Sequence, residues 1–358
     1  MGGWNGYLSN PSLQNGITPA EFRALGLGMR APAEAAQFVG ALGAAQVALA
    51  LTGRSVRRGL VGDKLYFDTL MRGAGFAVPR VQAVMGRDAG LRGVASLTRF
   101  QDLRAFLAND AEFPLFVKPV QGQRSDGVMI VTRFDLSTGR VFTHEGRMQL
   151  KEFAARLAPW AEHGVLLQSR LQQHPDLVER VGLAIGCVRM ITWRDGQNLH
   201  RLGTFWKVPR QDAVADNHWR GNLLADVDMA RGVVGKVVDR LDVAADAVER
   251  HPDTGLALSG TALPGWSDLM EMTDHAASFL SGLPLVGWDV ALTQDGPVIV
   301  EANSSPSLDI PQYLTGHGLL AHEGVAEVWR KRHAKARAAR KGKVAKRLSV
   351  LAKRRPAA

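Results

Sequence analysis

The fold is decided by residues 287–303, which read GWDVALTQDGPVIVEAN. Two largely apolar runs flank the turn residues Gln294, Asp295 and Gly296, and this pattern is a strong signal for a β-hairpin. Both runs are too apolar for a ribbon that water covers on both faces, which disfavours an ordinary surface hairpin with scattered acids. The hairpin should therefore belong to a partly buried sheet.

Three polar side chains should meet on this hairpin. If its strands pair symmetrically about Asp295, Asp289 lies opposite Glu301, although a bulge in the turn would shift the pairing by one position. Directly opposed residues share a face of the sheet, and Asn303, two residues after Glu301, shares it too. Facing carboxylates repel each other unless something compensates, and a hard divalent cation with oxygen ligands is the natural compensation. The hairpin therefore predicts an Mg²⁺ site.

Upstream of the hairpin, helices alternate with β-hairpins, and no long βαβ run occurs. This pattern favours an α+β fold, in which helices cover the sheets. The predicted strands are 114–119, 128–132, 165–171, 181–193 and 200–208. The predicted helices are 33–51, 151–161 and 267–280, with a further helix that begins at Asp63-Lys64.

A second candidate site lies around Lys118, which ends an apolar strand and precedes a polar loop containing Gly122 and Gly127. Small residues let backbone N–H groups approach phosphate oxygens, and a lysine on a strand adds a positive charge at a defined place. Many surface hairpins also carry Gly and Lys, so an ordinary surface loop remains an open alternative. The GxxxxGK[ST] pattern is absent, which excludes a P-loop.

The chain of 358 residues is 46% hydrophobic, which supports a sizeable core and excludes a disordered or collagen-like protein. A single cysteine, Cys187, excludes an intramolecular disulfide framework and a multi-cysteine zinc site. The first residues lack the basic start and apolar core of a secretory signal. We therefore expect a cytoplasmic protein, with a peripheral position at the inner membrane surface as the alternative.

Positive charge is concentrated at the C-terminal end. The chain has 44 Lys and Arg against 34 Asp and Glu, but 13 of the basic residues and no acid lie from Arg330 onward. The rest therefore has 31 basic and 34 acidic residues, a net charge of −3. A basic tail, 326–358, is either a solvated terminal helix or a docking segment for an anionic partner such as a membrane, a nucleic acid or an acidic polysaccharide.

Taken together, these pieces resemble the ATP-grasp superfamily over about residues 61–315. The shared order is a DK at a helix start, a KP on a strand before a glycine loop, an apolar strand with Gln, a strand with Arg, and D-x11-E-x-N in a terminal hairpin. The segments FWKVPRQDAVADNHWRGNLL and SSPSLDIPQ are most similar to the sugar-transfer associated ATP-grasp family. The SSP that follows EAN is also similar to alpha-L-glutamate ligases.

The resemblance implies a fold in which two α+β subdomains grip ATP between antiparallel sheets. It places an N-terminal helical extension at residues 1–60 and the ATP-grasp domain at 61–325. A lid subdomain with the glycine loop would cover about 110–165, and the basic tail would follow from 326.

The resemblance also implies which residues bind the nucleotide. Lys64 and Lys118 match the lysines that contact ATP phosphates, with Lys118 near the α-phosphate and adenine. The residues of the closing glycine loop would be Gln121, Gly122, Ser125, Asp126 and Gly127. Those of the strand that holds adenine would be Gln168, Ser169 and Leu171. For two of these residues a structural role stays open: Lys64 as an exposed helix-start lysine and Gln168 as a buried amide satisfied by backbone.

Further residues match positions close to the chemistry. Arg189 matches the arginine that approaches the γ-phosphate, or it pairs structurally with Asp212 or Asp216. Lys207 and Asn222 are additional catalytic candidates. The Mg²⁺ ligands implied by the resemblance are the residues that the hairpin predicts: Asp289, Glu301 and Asn303.

The activity that the resemblance implies is that of an ATP-dependent carboxylate–amine ligase. ATP would phosphorylate a carboxylate to an acyl phosphate, with two Mg²⁺ ions, or Mn²⁺ in their place, neutralising the phosphates. A bound amine would then attack, and the substrates would be small molecules or parts of a glycan. The alternative is a nucleotide-binding protein, or one binding an anionic polymer or a membrane surface, that has lost catalysis.

Overall fold

The computed structural model describes residues 15–53, 57–122, 126–216 and 221–334. The chain divides into two compact units, and the smaller one joins residues up to Gly53 with residues from Ser307 onward. The larger unit is Arg54–Pro306. In the described part of the chain, no helix has the length and apolar character that crossing a membrane requires. The domain boundaries proposed at residues 60 and 325 remain predictions.

Helices and strands are numbered in chain order. The helices are α1 (Pro19–Ala24), α2 (Pro32–Ala35), α3 (Ala41–Thr52), α4 (Arg58–Gly62), α5 (Lys64–Gly73), α6 (Phe100–Asn109), α7 (Leu150–Leu157), α8 (Pro175–Val181), α9 (Trp266–Phe279) and α10 (Ile310–Thr315). The strands are β1 (Val81–Met85), β2 (Ala95–Leu97), β3 (Leu115–Pro119), β4 (Met129–Asp135), β5 (Arg140–Thr143), β6 (Gly146–Gln149), β7 (Val165–Ser169), β8 (Cys187–Asp195), β9 (Asn198–Val208), β10 (Leu223–Asp228), β11 (Val233–Val238), β12 (Leu285–Thr293) and β13 (Gly296–Asn303).

The larger unit contains two sheets, and within the described residues their pairing is antiparallel except between β1 and β2. The first sheet has the order β2-β1-β7-β3-β4-β5-β6, and the second has the order β11-β10-β9-β8-β12-β13. Phe106 of α6 and Phe153 of α7 pack with Leu115 in the core of the first sheet. The second sheet packs around Trp206 and Trp288, both fully buried. The expected α+β class with antiparallel sheets is confirmed.

Helix α5 contributes to the cores of both sheets. Leu65 packs with residues of the first sheet, including Leu166, whereas Phe67 and Met71 belong to the core of the second sheet. The helix begins where the sequence predicts, because the side chain of Asp63 caps it by accepting from the backbone N–H groups of its first turn. Residues at the start of α5 are therefore held between the two sheets.

The hairpin of β12 and β13 has the predicted pairing but a different turn. Thr293 pairs with Gly296, so the turn contains two residues and the register near it would not bring the acids together. The register then shifts by one residue beyond Val290, and Asp289 pairs with Glu301. The facing acids are thus confirmed, although a β-bulge produces the register instead of a symmetric three-residue turn.

Other predicted elements differ at their ends. The strand predicted from residue 181 begins at Cys187, because α8 ends at Val181. Pro175 starts this helix at a position where its missing N–H costs nothing, and the side chain of His174 caps it. The single helix predicted over 33–51 is divided into α2 and α3, and a Cβ on Gly40 would lie 2.4 Å from a backbone oxygen. The sequence analysis did not predict strands β10 and β11.

The smaller unit is formed by residues from both ends of the chain. The Gln312 side chain on α10 accepts from the backbone N–H of Val39 at 3.0 Å and donates to its carbonyl at 2.9 Å. Residues 323–334 are helical, and there Trp329 donates to Asn15 Oδ1 at 3.1 Å. Trp329 is 6% exposed although it lies inside the predicted basic tail, so the packed chain extends at least this far.

Candidate active site

Asp289 is the most deeply buried acid of the hairpin and is 2% exposed. Its register partner on β8 is Arg189, which donates from Nη2 to Asp289 Oδ2 at 2.7 Å and also bonds Oδ1 through Nε. Lys207, on β9, places its Nζ 3.2 Å from the same Oδ2. Both carboxylate oxygens of Asp289 therefore contact cationic groups.

A second carboxylate extends this cluster. Lys207 Nζ lies 3.0 Å from Asp216, which also accepts from the backbone N–H of Cys187 at 2.9 Å. Burial alone would lower the pKa of Lys207, but the charges of Asp216 and Asp289 outweigh it and raise that pKa. Burial likewise opposes the charge of Asp289, and Arg189 and Lys207 overcome it to hold the pKa of Asp289 well below its usual range. The four side chains thus form a buried, mutually neutralising network.

This network corrects the electrostatic argument made from the hairpin alone. The facing carboxylates were expected to need a divalent cation, but Arg189 and Lys207 already compensate Asp289. The pairing of Arg189 with Asp212 or Asp216 is not the one observed, because its ion pair is with Asp289.

The oxygen atoms of the three predicted ligands have the chemistry that suits a hard cation. Asn303 Nδ2 donates to Glu301 Oε1 at 3.2 Å, which turns the amide oxygen of Asn303 away from that contact. The oxygen donors of Glu301, Asn303 and Asp289 have the chemistry that Mg²⁺ prefers. The described ranges contain no cluster of three or more His, Cys, Asp or Glu residues that could hold a metal. The predicted site has two acids, Asp289 and Glu301, and its third ligand is an asparagine.

The two predicted phosphate-binding lysines lie near each other and near the hairpin. Lys64 donates from Nζ to the carbonyl of Gly122 at 3.1 Å, and Lys118 is only 5% exposed. Burial lowers the pKa of Lys64, while the charge of Glu301 raises it and that of Lys118 lowers it further. Lys64 is therefore within electrostatic reach of both the hairpin acid and the second lysine, and it is not simply an exposed residue at a helix start.

The glycine loop is described only in part, and Ser125 lies outside the described residues. Gln121, Gly122 and Asp126 are exposed. Gly127 has a φ of 71°, and a Cβ there would lie 2.8 Å from the ring of Trp160. Only glycine suits this position, because it combines a left-handed backbone with a close approach to an aromatic ring.

A cleft joins the predicted adenine-binding residues with Lys118. Gln168, Ser169 and Leu171 line it together with Val300 of β13. The other apolar side chains around it are Phe116, Ile130, Ile185 and Val214. Strands of both sheets thus contribute to a mostly apolar cleft with a few polar groups, which is the usual character of a small-molecule site.

Asp68 belongs to this region and was missed by the sequence analysis. Gln168 donates from Nε2 to Asp68 Oδ2 at 2.6 Å, so a carboxylate and not the backbone satisfies this buried amide. Burial raises the pKa of Asp68 to about 6. A signal existed, because Asp68 lies four residues after Lys64 and therefore on the same face of a predicted helix.

Asn222 bonds to the backbone of the segment that precedes it, and its catalytic role stays a prediction. It is 2% exposed, its Oδ1 accepts from the backbone N–H of Arg210 at 2.8 Å, and its Nδ2 donates to the carbonyl of Ala215 at 2.8 Å. These bonds join the two ends of the segment between β9 and β10. Lys207, by contrast, lies within the charged network.

The larger unit has two mostly antiparallel sheets, a cleft that both sheets line, and lysines near an acid on a strand. This combination is the one expected of an ATP-grasp protein. Within that class the chain belongs to the sugar-transfer associated ATP-grasp family, whose model matches residues 54–327. This match confirms the family indicated by the motifs over residues 61–315.

Solved structures of several ATP-grasp enzymes are similar to this chain. The D-Ala:D-Ser ligase VanG from Enterococcus faecalis is 15% identical, with a TM-score of 0.41 over 75% of this chain and 62% of its own. Phosphoribosylamine–glycine ligase from Thermotoga maritima is 13% identical, with a TM-score of 0.43 over 76% and 55%.

A third similar structure is the biotin carboxylase domain of the Hydrogenobacter thermophilus 2-oxoglutarate carboxylase, in complex with MgADP, ADP and bicarbonate. It is 12% identical, with a TM-score of 0.38 over 69% of this chain and 40% of its own. The chain therefore spans less than two thirds of each of these proteins. No curated protein matches the chain by sequence.

Proposed function

We propose that this protein is an ATP-dependent carboxylate–amine ligase that forms an acyl-phosphate intermediate. Family membership supports the use of ATP. The observation that carries the proposal is that Lys64 interacts electrostatically with Lys118 and Glu301, and that Glu301 is the strand partner of Asp289, which pairs with Arg189. Cations placed around one acidic strand are suited to phosphates and to the negative charge that develops during transfer.

Each group has a role in this proposal. The base of ATP occupies the cleft, and Lys64 and Lys118 neutralise its phosphates. Arg189 stabilises charge on the transferred phosphoryl group, and Lys207 and Asp216 hold the Arg189–Asp289 pair in place. The glycine loop excludes water, since hydrolysis of the acyl phosphate competes with attack by the amine.

Mg²⁺ would be held by Glu301, Asn303 and Asp289, and it would neutralise phosphate oxygens during transfer. Two ions, with Mn²⁺ as a substitute, are part of the proposal. To bind a metal, Asp289 would share an oxygen that now contacts Lys207. The carboxylate and amine are proposed to be small molecules or parts of a glycan, in keeping with the name of the family.

The test is ADP release from Mg-ATP in the presence of candidate carboxylates and amines. We expect sustained ADP release only when the carboxylate, the amine and a divalent cation are all present. The carboxylate without the amine should give little more than one turnover, because ADP forms with the acyl phosphate and the amine is needed to consume that intermediate. A melting-temperature shift with Mg-ATP checks binding separately. A ligand at 100 times its dissociation constant stabilises the native state by about 2.7 kcal/mol. The absence of any shift with millimolar Mg-ATP would contradict the proposal.

The basic tail supports a second, separable proposal. Thirteen basic residues without an acid, next to a remainder of net charge −3, favour docking to an anionic partner such as a membrane surface, a nucleic acid or an acidic polysaccharide. A peripheral position at the inner membrane surface would follow if that partner is lipid. A nucleotide-binding protein without catalysis is the alternative function, and the intact network of Arg189, Lys207, Asp216 and Asp289 speaks against it.

A further inference from the structure

Gln168 is one of the residues that line the cleft, and its side-chain amide has two chemically different ends. Its Nε2 donates to Asp68 Oδ2 at 2.6 Å. Both side chains are buried, with Gln168 1% and Asp68 2% exposed. An ionised carboxylate can only accept hydrogen bonds, so the nitrogen must face Asp68. The carbonyl oxygen of Gln168 is then the end left for a ligand.

The surroundings of Asp68 favour a functional role. Its second oxygen, Oδ1, is buried and has no hydrogen-bond partner in the part of the chain that the structure describes. A buried carboxylate with an unsatisfied oxygen is costly, and an apolar residue would fill this place on α5 more favourably. The charged groups that face Asp68 are Lys118 from β3 and Lys64 and Arg72 from its own helix.

We propose that Asp68 is a positioning residue that makes the cleft selective for purines with a 6-amino group. The proposal rests on the proposed function, because it places the base of ATP in the cleft. The amino group of adenine donates a hydrogen bond, whereas the 6-oxo group of hypoxanthine or guanine accepts one. An oxygen of Gln168 that is turned toward the base therefore pairs with adenine and repels the 6-oxo bases.

Protonation of Asp68 would release this orientation. Burial raises the pKa of Asp68 to about 6, so the carboxyl group gains a proton in mildly acidic solution. A neutral carboxyl can donate to the Gln168 oxygen, and the amide can then turn its nitrogen toward the base. Selectivity for 6-amino purines should therefore decrease as the pH falls through about 6. A purely structural role of Asp68 would not link base selectivity to pH.

The test compares ATP with ITP, whose base carries the 6-oxo group and the accompanying N1 proton. Dissociation constants of both Mg-nucleotides are measured by calorimetry on the full chain at pH 7.5 and pH 5.5. The unmodified protein should prefer ATP by roughly tenfold or more at pH 7.5, since one matched hydrogen bond replaces a repulsive contact. The preference should shrink several-fold at pH 5.5. In Asp68→Asn it should be small at both pH values.

Asp309→Asn is the matched control, because burial also raises the pKa of this carboxyl but it belongs to the smaller unit, whereas Gln168 and the cleft belong to the larger one. This variant should keep the full preference for ATP. Asp68→Ala is a second variant for the same measurement if the Asn variant does not fold, and its preference for ATP should also be small. A folded Asp68 variant with an unchanged ATP-to-ITP ratio would overturn the inference and leave the proposed function intact. If the unmodified protein binds neither nucleotide, the proposed function fails and the inference with it.

Discussion

At Asp289, replacing one carboxylate oxygen by an amide removes the negative charge that Arg189 and Lys207 share. Asp289→Asn should abolish most ADP formation, and it should also lower the free energy of unfolding by about 3 kcal/mol, because Arg189 then loses its counter-charge and Lys207 keeps only Asp216. Urea unfolding and ADP release measure the two effects. From the sequence alone, repulsion between the facing acids predicts the opposite change in stability.

Glu301→Gln is the matched comparison on the opposite strand. Glu301 is half-buried and accepts a hydrogen bond from the neutral Asn303. This variant should lose ADP formation but keep nearly all of its stability, because it leaves the buried cations paired. Equal stability of the two variants would argue against the ion pairs of Asp289, and normal turnover in either would argue against the metal site.

Asp68 should make stability depend on pH in a defined direction. Burial raises its pKa to about 6, well above the usual range of an aspartate, so the folded state holds the proton more tightly than the unfolded state. The stability that this group contributes is fully present below about pH 4 and is lost as pH rises through about 6. Asp68→Asn is neutral at every pH, so its stability relative to the unmodified protein should increase by about 1–3 kcal/mol between pH 4 and pH 7. Urea unfolding at four pH values measures this difference, and a constant difference would contradict the raised pKa.

The contacts that the sequence predicted join residues close together in the chain, and those that it missed join residues far apart. Asp289, Glu301 and Asn303 could be placed together because one hairpin carries all three. The contacts of Arg189 with Asp289 and of Gln168 with Asp68 each join residues 100 positions apart. No local pattern encodes such a contact, and only the packing of sheets and helices brings the partners together. The likeness to a family placed Arg189, Asp289 and Gln168 in the site, but it predicted neither the pairing of Arg189 with Asp289 nor the presence of Asp68.

Among the elements, strand β12 offers a test of how closely the site is packed. A Cβ on Gly287 would lie 2.7 Å from the side chain of Pro306 and 3.2 Å from Cδ of Arg189. Gly287→Ala should therefore destabilise the fold by about 1–3 kcal/mol and reduce turnover, since Arg189 must move. Thermal unfolding and ADP release measure these changes.

Gly59→Ala is the control for that substitution. Gly59 lies in α4, and a Cβ there would meet nothing within 4 Å. The change should be neutral or slightly stabilising, because alanine loses less conformational freedom on folding. If Gly287→Ala is equally harmless, β12 has more room around Arg189 than its neighbours indicate.

Elements with strong local signals were predictable, and those defined by their neighbours were not. The Asp63 cap marks the start of α5, and the apolar runs around Asp295 mark β12 and β13. Strand β10 pairs with β9 on one side and with β11 on the other, and β11 is the edge strand of the sheet. Their preference for a strand depends on that pairing more than on composition. The same holds for α8, which was not predicted and whose last residue, Val181, was assigned to the following strand.

At the scale of the whole molecule, the basic tail and the catalytic unit should separate experimentally. Of the thirteen basic residues from Arg330 onward, ten follow residue 334, because Arg330, Lys331 and Arg332 precede it. Ending the chain after residue 334 preserves Trp329 and its bond to Asn15. The shortened protein should bind Mg-ATP as before but lose retention on heparin and on anionic liposomes.

Salt dependence provides the control for this truncation. Each basic residue near an anionic surface contributes about 1 kcal/mol, and the attraction decays within roughly 8 Å at physiological ionic strength. Binding of the full chain should therefore weaken steeply as salt increases and be absent on neutral liposomes. Unchanged retention of the shortened protein would place the anion-binding surface elsewhere.

The two hydrogen bonds between Gln312 and Val39 also determine when the smaller unit can fold during synthesis. Arg54–Pro306 is continuous and can fold as soon as it has been translated. Val39 cannot form its hydrogen bonds until Gln312 has been made. At a translation rate of roughly 5–20 residues per second, the ribosome needs about 10–50 s to reach that residue. During that interval Phe38 and Val39, both fully buried in the finished protein, lack the C-terminal half of their unit. The nascent chain thus carries an incomplete apolar surface around Phe38 and Val39 until the segment that contains Gln312 has been made.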